Sequence, residues 1–166
     1  CWRLLTTHPV ETAEEAAAVV QLYRLRWRIE QAFRALKSDG MRLEESQVTG
    51  CDRMFALAAI AMAAAVRTIQ LVDARDGGPR LATDIIDAEF IAPVAGLSNK
   101  LEGKTDRQKN PHERGSLAWL AWVVARLGGW NCYYKPPGPK TMHQGWVHLA
   151  TFLAGFAFAG THDAKP

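Results

Sequence analysis

Residues 12–40 read TAEEAAAVVQLYRLRWRIEQAFRALKSDG, a single uninterrupted helix signal with its own start and stop. Thr12 with Glu15 three places on forms a capping box, in which the hydroxyl and the carboxylate each satisfy an amide at the helix start. Neither proline nor glycine interrupts the run before Ser38-Asp39-Gly40, where Gly40 suits the left-handed turn that closes a helix. The expected helix therefore runs from Ala13 to about Lys37.

At 100° per residue from Tyr23, Arg26 falls at about 300°, Glu30 at about 340°, Arg34 at about 20° and Lys37 at about 320°. These side chains share one stripe, while Leu25, Ile29, Phe33 and Leu36 occupy the neighbouring sector at about 200° to 280°. The helix is thus expected to pack on its apolar side and to present an acid among three cations and a phenol. Cations hold phosphates and a carboxylate holds a divalent metal, so the stripe suits a phosphodiester site. Spacing alone is equally satisfied by Glu30 pairing with Arg26 and Arg34 at i±4 on a solvated face.

Outward from this helix, Trp2–Thr7 (WRLLTT) reads as a short strand stopped by His8-Pro9. The opening at Cys1, already inside that strand, suggests a chain cut from a longer one. Arg42–Gly50 reads as a loop, and Asp52 as the opening of a second long helix to about Ala74, packed on most sides of its apolar centre Ala56–Val66. Asp76-Gly77-Gly78-Pro79 marks a boundary between a unit at 1–75 and one at 76–166. In the second unit Thr83–Val94 is the next helix, Ser98–Gly115 a charged, solvated linker, and Ser116 the cap of a helix Leu117–Leu127 ended by Gly128-Gly129. Prolines 136, 137 and 139 keep Tyr133–Lys140 irregular, and an apolar helix, roughly Thr141–Phe158, follows.

The 166 residues carry a net charge of only +3, yet Tyr23–Arg42 holds six Arg and Lys against two acids. That concentration points to a polyanion contact. Three cysteines without a C-x-x-C pair indicate neither a zinc site nor a disulfide framework, which suits a reducing cytoplasm. The longest apolar run, Trp146–Gly160, is shorter than the ~20 residues of a membrane helix, so no membrane partner is expected. His143 and His148 sit five apart, off a shared helix face, and make no metal set. Trp27, at about 40° beside the stripe, reads as a packing residue more than as a stacking platform for a base.

Tyr23-x2-Arg26-x3-Glu30-x6-Lys37 resembles, without a departure in spacing, the Tyr-Arg-Glu-Lys signature of the insertion-sequence-four family of DDE transposases. The surrounding YRLRWRIEQAFRALKSDGMRLEES is similar as well, as are GSLAWLAWVVARLGGW and PPGPKTMHQGW downstream. The resemblance implies a mainly α chain: the C-terminal part of a ribonuclease-H-like α/β catalytic core, followed by a helical dimerisation domain. It implies Mg²⁺-dependent (or Mn²⁺-dependent) cut-and-paste transposition, with Glu30 the third metal-binding acid beside two aspartates absent from this chain. Tyr23, Arg26 and Lys37 would touch transposon-end double-stranded DNA, Arg34 joining them by its place in the stripe. The C-terminal helices, with Trp119, Trp122, Trp130 and Trp146, would make a homodimer. Without the two aspartates the chain alone is expected not to cleave DNA, and the alternative is a non-enzymatic helical module that dimerises and binds DNA.

Overall fold

The computed structural model describes residues 3–38 and 45–162. Within them lie five helices: α1 (Ala13–Ser38), α2 (Cys51–Ala74), α3 (Ile91–Leu101), α4 (Leu117–Leu127) and α5 (Pro139–His162). The chain is mainly helical, and β pairing among the described residues is confined to one antiparallel bridge, Leu81 to Ser116. The strand expected at Trp2–Thr7 does not form over residues 3–7, where Arg3 and Leu5 are exposed. A strand is stable only beside another strand, and nothing described here pairs with it.

The start of α1 follows the sequence. Thr12 Oγ1 accepts from the Glu15 amide at 3.2 Å, and Glu15 Oε2 accepts from the Thr12 and Glu11 amides at 3.0 and 2.7 Å. These bonds stabilise the ionised carboxyl and hold Glu15 below the ordinary glutamate range, the Glu11 amide contributing most. The expected stop at Asp39-Gly40 lies outside the described residues, as do Arg42–Glu44 of the expected loop.

α2 returns antiparallel along α1. Leu36 is buried against Ala61 and Ala65, and Arg28 Nη2 reaches Asp73 Oδ2 at 3.3 Å. On the helical wheel Arg28 and Leu36 lie at about 140° and 220°, so the side of α1 turned to α2 is nearly opposite Glu30. The expected apolar sector is only partly used: Leu25, Ile29 and Phe33 stay half or more exposed. Asp52 is not the cap of α2 but sits inside its first turn, Gly50 standing at the cap with φ 98°. Nor is the centre of α2 packed on most sides, since Phe55 is 75% and Ile60 69% exposed. An alanine-rich helix offers little volume to a neighbour, and α1 covers only the strip at Ala61 and Ala65. By length and composition α2 would cross a membrane, with a mean hydropathy of 1.9 over its best window; the apolar reach of the chain is greater than the unbroken run at 146–160 suggests.

The lower end of α2 belongs to a different core. Leu71 and Ala74 are buried together with Ala82, Ile86, Val94, most of α4, and Met142, Leu149 and Leu153 of α5. α4 is the centre of this core: every residue from Leu117 to Ala125 is buried. Ser116 Oγ caps it by accepting from the Trp119 amide at 3.1 Å, and Gly129 ends it at φ 87°, as the sequence reads. α5 begins two residues earlier than expected, at Pro139, a position where the missing amide costs nothing. It crosses α4 closely enough that Gly145 lies against the Val124 carbonyl and the Gly128 amide.

The helix expected at Thr83–Val94 is displaced to Ile91–Leu101, after short 3-10 turns at Ala82–Asp84 and Ala88–Phe90. Pro93 explains the shift, because proline fits the first turn of a helix but near the end of one its ring strikes the carbonyl four residues back. The expected linker at 98–115 is also tied down, its first residues belonging to α3. Asn110 Nδ2 donates to the Trp119 carbonyl at 3.1 Å, the Asn110 amide to Glu102 Oε1 at 3.2 Å, and His112 Nε2 lies 3.1 Å from the Arg75 carbonyl oxygen. Its charged side chains face solvent while Asn110 and His112 anchor it to the core. Arg126 fastens the segment's other end, reaching the Leu101 carbonyl through Nε and Nη2 (3.2 and 2.9 Å) and the Trp130 carbonyl through Nη1 (2.8 Å). Its Nη1 also meets Cys132 Sγ at 3.7 Å, although burial is the larger influence and pushes that thiol up.

Candidate nucleic-acid interface

The capping box sets the rotation of α1 and the contact with α2 fixes which side is covered, so the stripe carrying Glu30 is left facing solvent. Tyr23, Arg26, Trp27 and Glu30, spaced i, i+3, i+4 and i+7, line a shallow depression of about 160 Å³ on that side. Arg26 Nη2 lies 3.6 Å from Glu30 Oε1, with both side chains about half or more exposed, and the Arg26 guanidinium stands 5.9 Å from the centre of the Tyr23 ring. A pair this exposed contributes a few tenths of a kcal/mol at most. Its importance is positional, because the guanidinium is held over the ring and beside the acid.

Arg34 and Lys37 are exposed on the same helix but do not line the depression. Lys37 is seven residues beyond Glu30, about 10 Å along the axis. They extend the cationic stripe as two further steps along one helix face, a spacing that suits successive backbone phosphates better than one small anion. Trp27, read as a packing residue, is 60% exposed and forms one wall of the depression. Its wheel angle beside the stripe was the available signal, and its exposure among the described residues sets it apart from a packed indole. Arg28, counted with the other cations in sequence, faces the opposite way, towards Asp73.

Glu30 is not a metal site by itself. Among the described residues no group of three His, Cys, Asp or Glu side chains stands close enough to hold an ion, and Glu30 is paired with a cation, Arg26. A divalent ion at oxygen ligands requires at least one more carboxylate or a substrate phosphate. His143 and His148 do not change this: His148 Nδ1 meets the Leu127 carbonyl oxygen at 3.0 Å, and His143 Nδ1 is buried without a hydrogen-bond partner among the described residues.

A helix that turns an acid, a guanidinium, a phenol and an indole to solvent, with further cations along the same face, is equipped to meet a phosphate backbone. Residues 2–67 match the family model of the transposase DDE domain. Over that span, which takes in α1 and most of α2, the chain is similar to a family of transposition enzymes.

Proposed function

We propose that this chain is the C-terminal part of a DNA transposase of the insertion-sequence-four type, acting in cut-and-paste transposition in the bacterial cytoplasm. Glu30 supplies one of the carboxylates of a divalent-metal centre, the remaining acids coming from outside the described residues. Tyr23, Arg26, Arg34 and Lys37 hold transposon-end DNA against it. Residues 1–75 then close a ribonuclease-H-like core, and the helices of 76–166 make a homodimer. The observation that carries this reading is the gathering of Tyr23, Arg26, Trp27 and Glu30 around one solvent-open depression, inside the stretch that matches the transposase domain. Among the described residues the acids do not complete a metal site, so strand cleavage would draw on carboxylates beyond them.

Fluorescence anisotropy of the purified chain on a 30-base-pair duplex tests the DNA contact. Affinity should fall with salt by a log-log slope of about 0.9 per phosphate held, and replacing Arg26, Arg34 and Lys37 together by alanine should lower that slope by roughly 2 to 3. A slope unchanged by the triple replacement would refute the assignment of this face. With Glu30→Gln, binding should persist or tighten slightly, because one negative charge leaves a phosphate-binding surface.

The absence of a complete acid group among the described residues favours one other reading, a non-enzymatic module that dimerises and binds DNA. Transplanting Glu30→Gln into the uninterrupted gene separates the two: loss of transposition with DNA binding intact supports a metal-holding Glu30, and undiminished transposition supports the module.

A further inference from the structure

On the opposite side of α1 from Glu30, a cleft of about 230 Å³ lies where α1, the end of α2 and the start of α4 meet. Its walls carry Arg28, Asp73 and Arg80, its rim is Gly77-Gly78, and α4 begins at its edge with Leu117 and Ala118. The local backbone is firmly framed. The Leu117 amide donates to the Arg80 carbonyl at 2.8 Å and the Ala82 amide to the Gly115 carbonyl at 2.7 Å, so Arg80 is pinned beside the start of α4. Gly77 and Gly78 adopt φ of 114° and 139°, and the space around each is open.

Both guanidiniums are aimed by single acids that leave most of their donors free. Arg80 Nε meets Asp84 Oδ2 at 2.9 Å, and among the described residues no further partner engages its two terminal nitrogens. Arg28 is held through Nη2 by Asp73. Guanidinium offers five donors in a fork that matches a phosphate in two-point fashion. Among the described residues Asp73 is the only acid lining the cleft against these two cations, and the first turn of α4 contains no acid to oppose an anion at its positive end.

We propose that this cleft binds a backbone phosphate of DNA through Arg28 and Arg80, a second contact separate from the Glu30 face. The proposal rests on the DNA-binding reading above. Arg28 and Glu30 lie about 160° apart around a helix some 10 Å wide, so one phosphate cannot serve both. The chain therefore holds DNA on two sides of α1.

The experiment compares the wild-type chain, the double variant Arg28→Ala/Arg80→Ala, the charge-keeping Arg28→Lys/Arg80→Lys, and the triple alanine variant of the Glu30 face. Each is titrated with the same 30-base-pair duplex at several salt concentrations. The double alanine variant should lose affinity and about 0.9 of the salt slope, one phosphate's share. The lysine pair should recover the slope but not all the affinity, since lysine lacks the two-point fork. Thermal melts confirm that both pairs fold. An unchanged slope in the folded double alanine variant overturns the cleft contact, while a loss in the triple variant leaves the Glu30 face standing; no DNA binding by the wild type overturns both. Inorganic phosphate is the remaining arm. If it raises the melting temperature of the wild type but not of the double alanine variant, and duplex binding ignores the double change, the cleft takes free phosphate and the DNA proposal is wrong.

Discussion

Gly145 on α5 provides the sharpest test of how the C-terminal helices are held. A methyl group added there would stand 2.7 Å from the Val124 carbonyl carbon and 2.9 Å from the Gly128 amide nitrogen, closer still to the Val124 carbonyl oxygen. All three are backbone atoms towards and just past the end of a helix buried from Leu117 to Ala125, so none can swing aside. α5 must move off α4, and Met142 and Leu149, which flank Gly145 on the same face and are both fully buried, lose contact with it. Overpacking of this kind costs typically 1 to 3 kcal/mol, and the unseating of two core side chains places this site at the upper end. Alanine also favours the helix by roughly 1 kcal/mol over glycine, which leaves a net loss of about 2 kcal/mol. For a chain of this length that lowers the melting temperature by roughly 4 to 8 °C. Gly155, on the same helix, has open space where its methyl would go, so Gly155→Ala should show the propensity term alone and raise stability by up to about 1 kcal/mol. Thermal melts of the two variants followed by far-ultraviolet circular dichroism decide the matter. If Gly145→Ala melts at or above the parent, the close crossing of α4 and α5 is wrong.

Ser116→Ala removes the acceptor for the Trp119 amide and should cost about 1 kcal/mol, read as a lower urea midpoint; no change would mean that water caps α4 equally well. Glu15 has a folded pKa held below its unfolded value by the Glu11 and Thr12 amides. Its contribution is therefore present above the ordinary glutamate pKa and fades as pH falls through the depressed one. Glu15→Gln should flatten the acid side of the stability profile, and a carboxyl resonance of Glu15 titrating at or above the ordinary glutamate value would contradict the capping geometry. With Mg²⁺ and supercoiled DNA the purified chain should make no nicks, because the described residues offer no complete group of metal-binding side chains; metal-dependent nicking abolished by Glu30→Gln would overturn that reasoning.

The features legible in the sequence are those fixed by local chemistry. Thr12 and Glu15 announce the start of α1, Ser116 and Gly129 the two ends of α4, because each end is settled by one or two hydrogen bonds between near neighbours. The side-chain stripe of α1 is equally local, and its wheel angles correctly gather Tyr23, Arg26 and Glu30. What depends on distant partners was not legible. Residues 3–7 have strand composition but no neighbour to pair with. The apolar middle of α2 looks like core, yet among the described residues its Ile60 and Val66 are left exposed. Trp27 was assigned to packing on its chemistry alone, and the surroundings that would have covered it are not present among the described residues. The α3 boundary was readable, since Pro93 excludes a helix ending just after it.

The path of α2 joins the helix that carries Glu30 to the C-terminal core. It is a continuous rod about 36 Å long that α1 follows from Ala61 to Asp73 and whose last turns are seated among α4 and α5. No loop or hinge interrupts it between Cys51 and Ala74. α1 and the C-terminal core therefore share the last turns of one helix, with no loop between them along α2 to absorb a change in their relative placement.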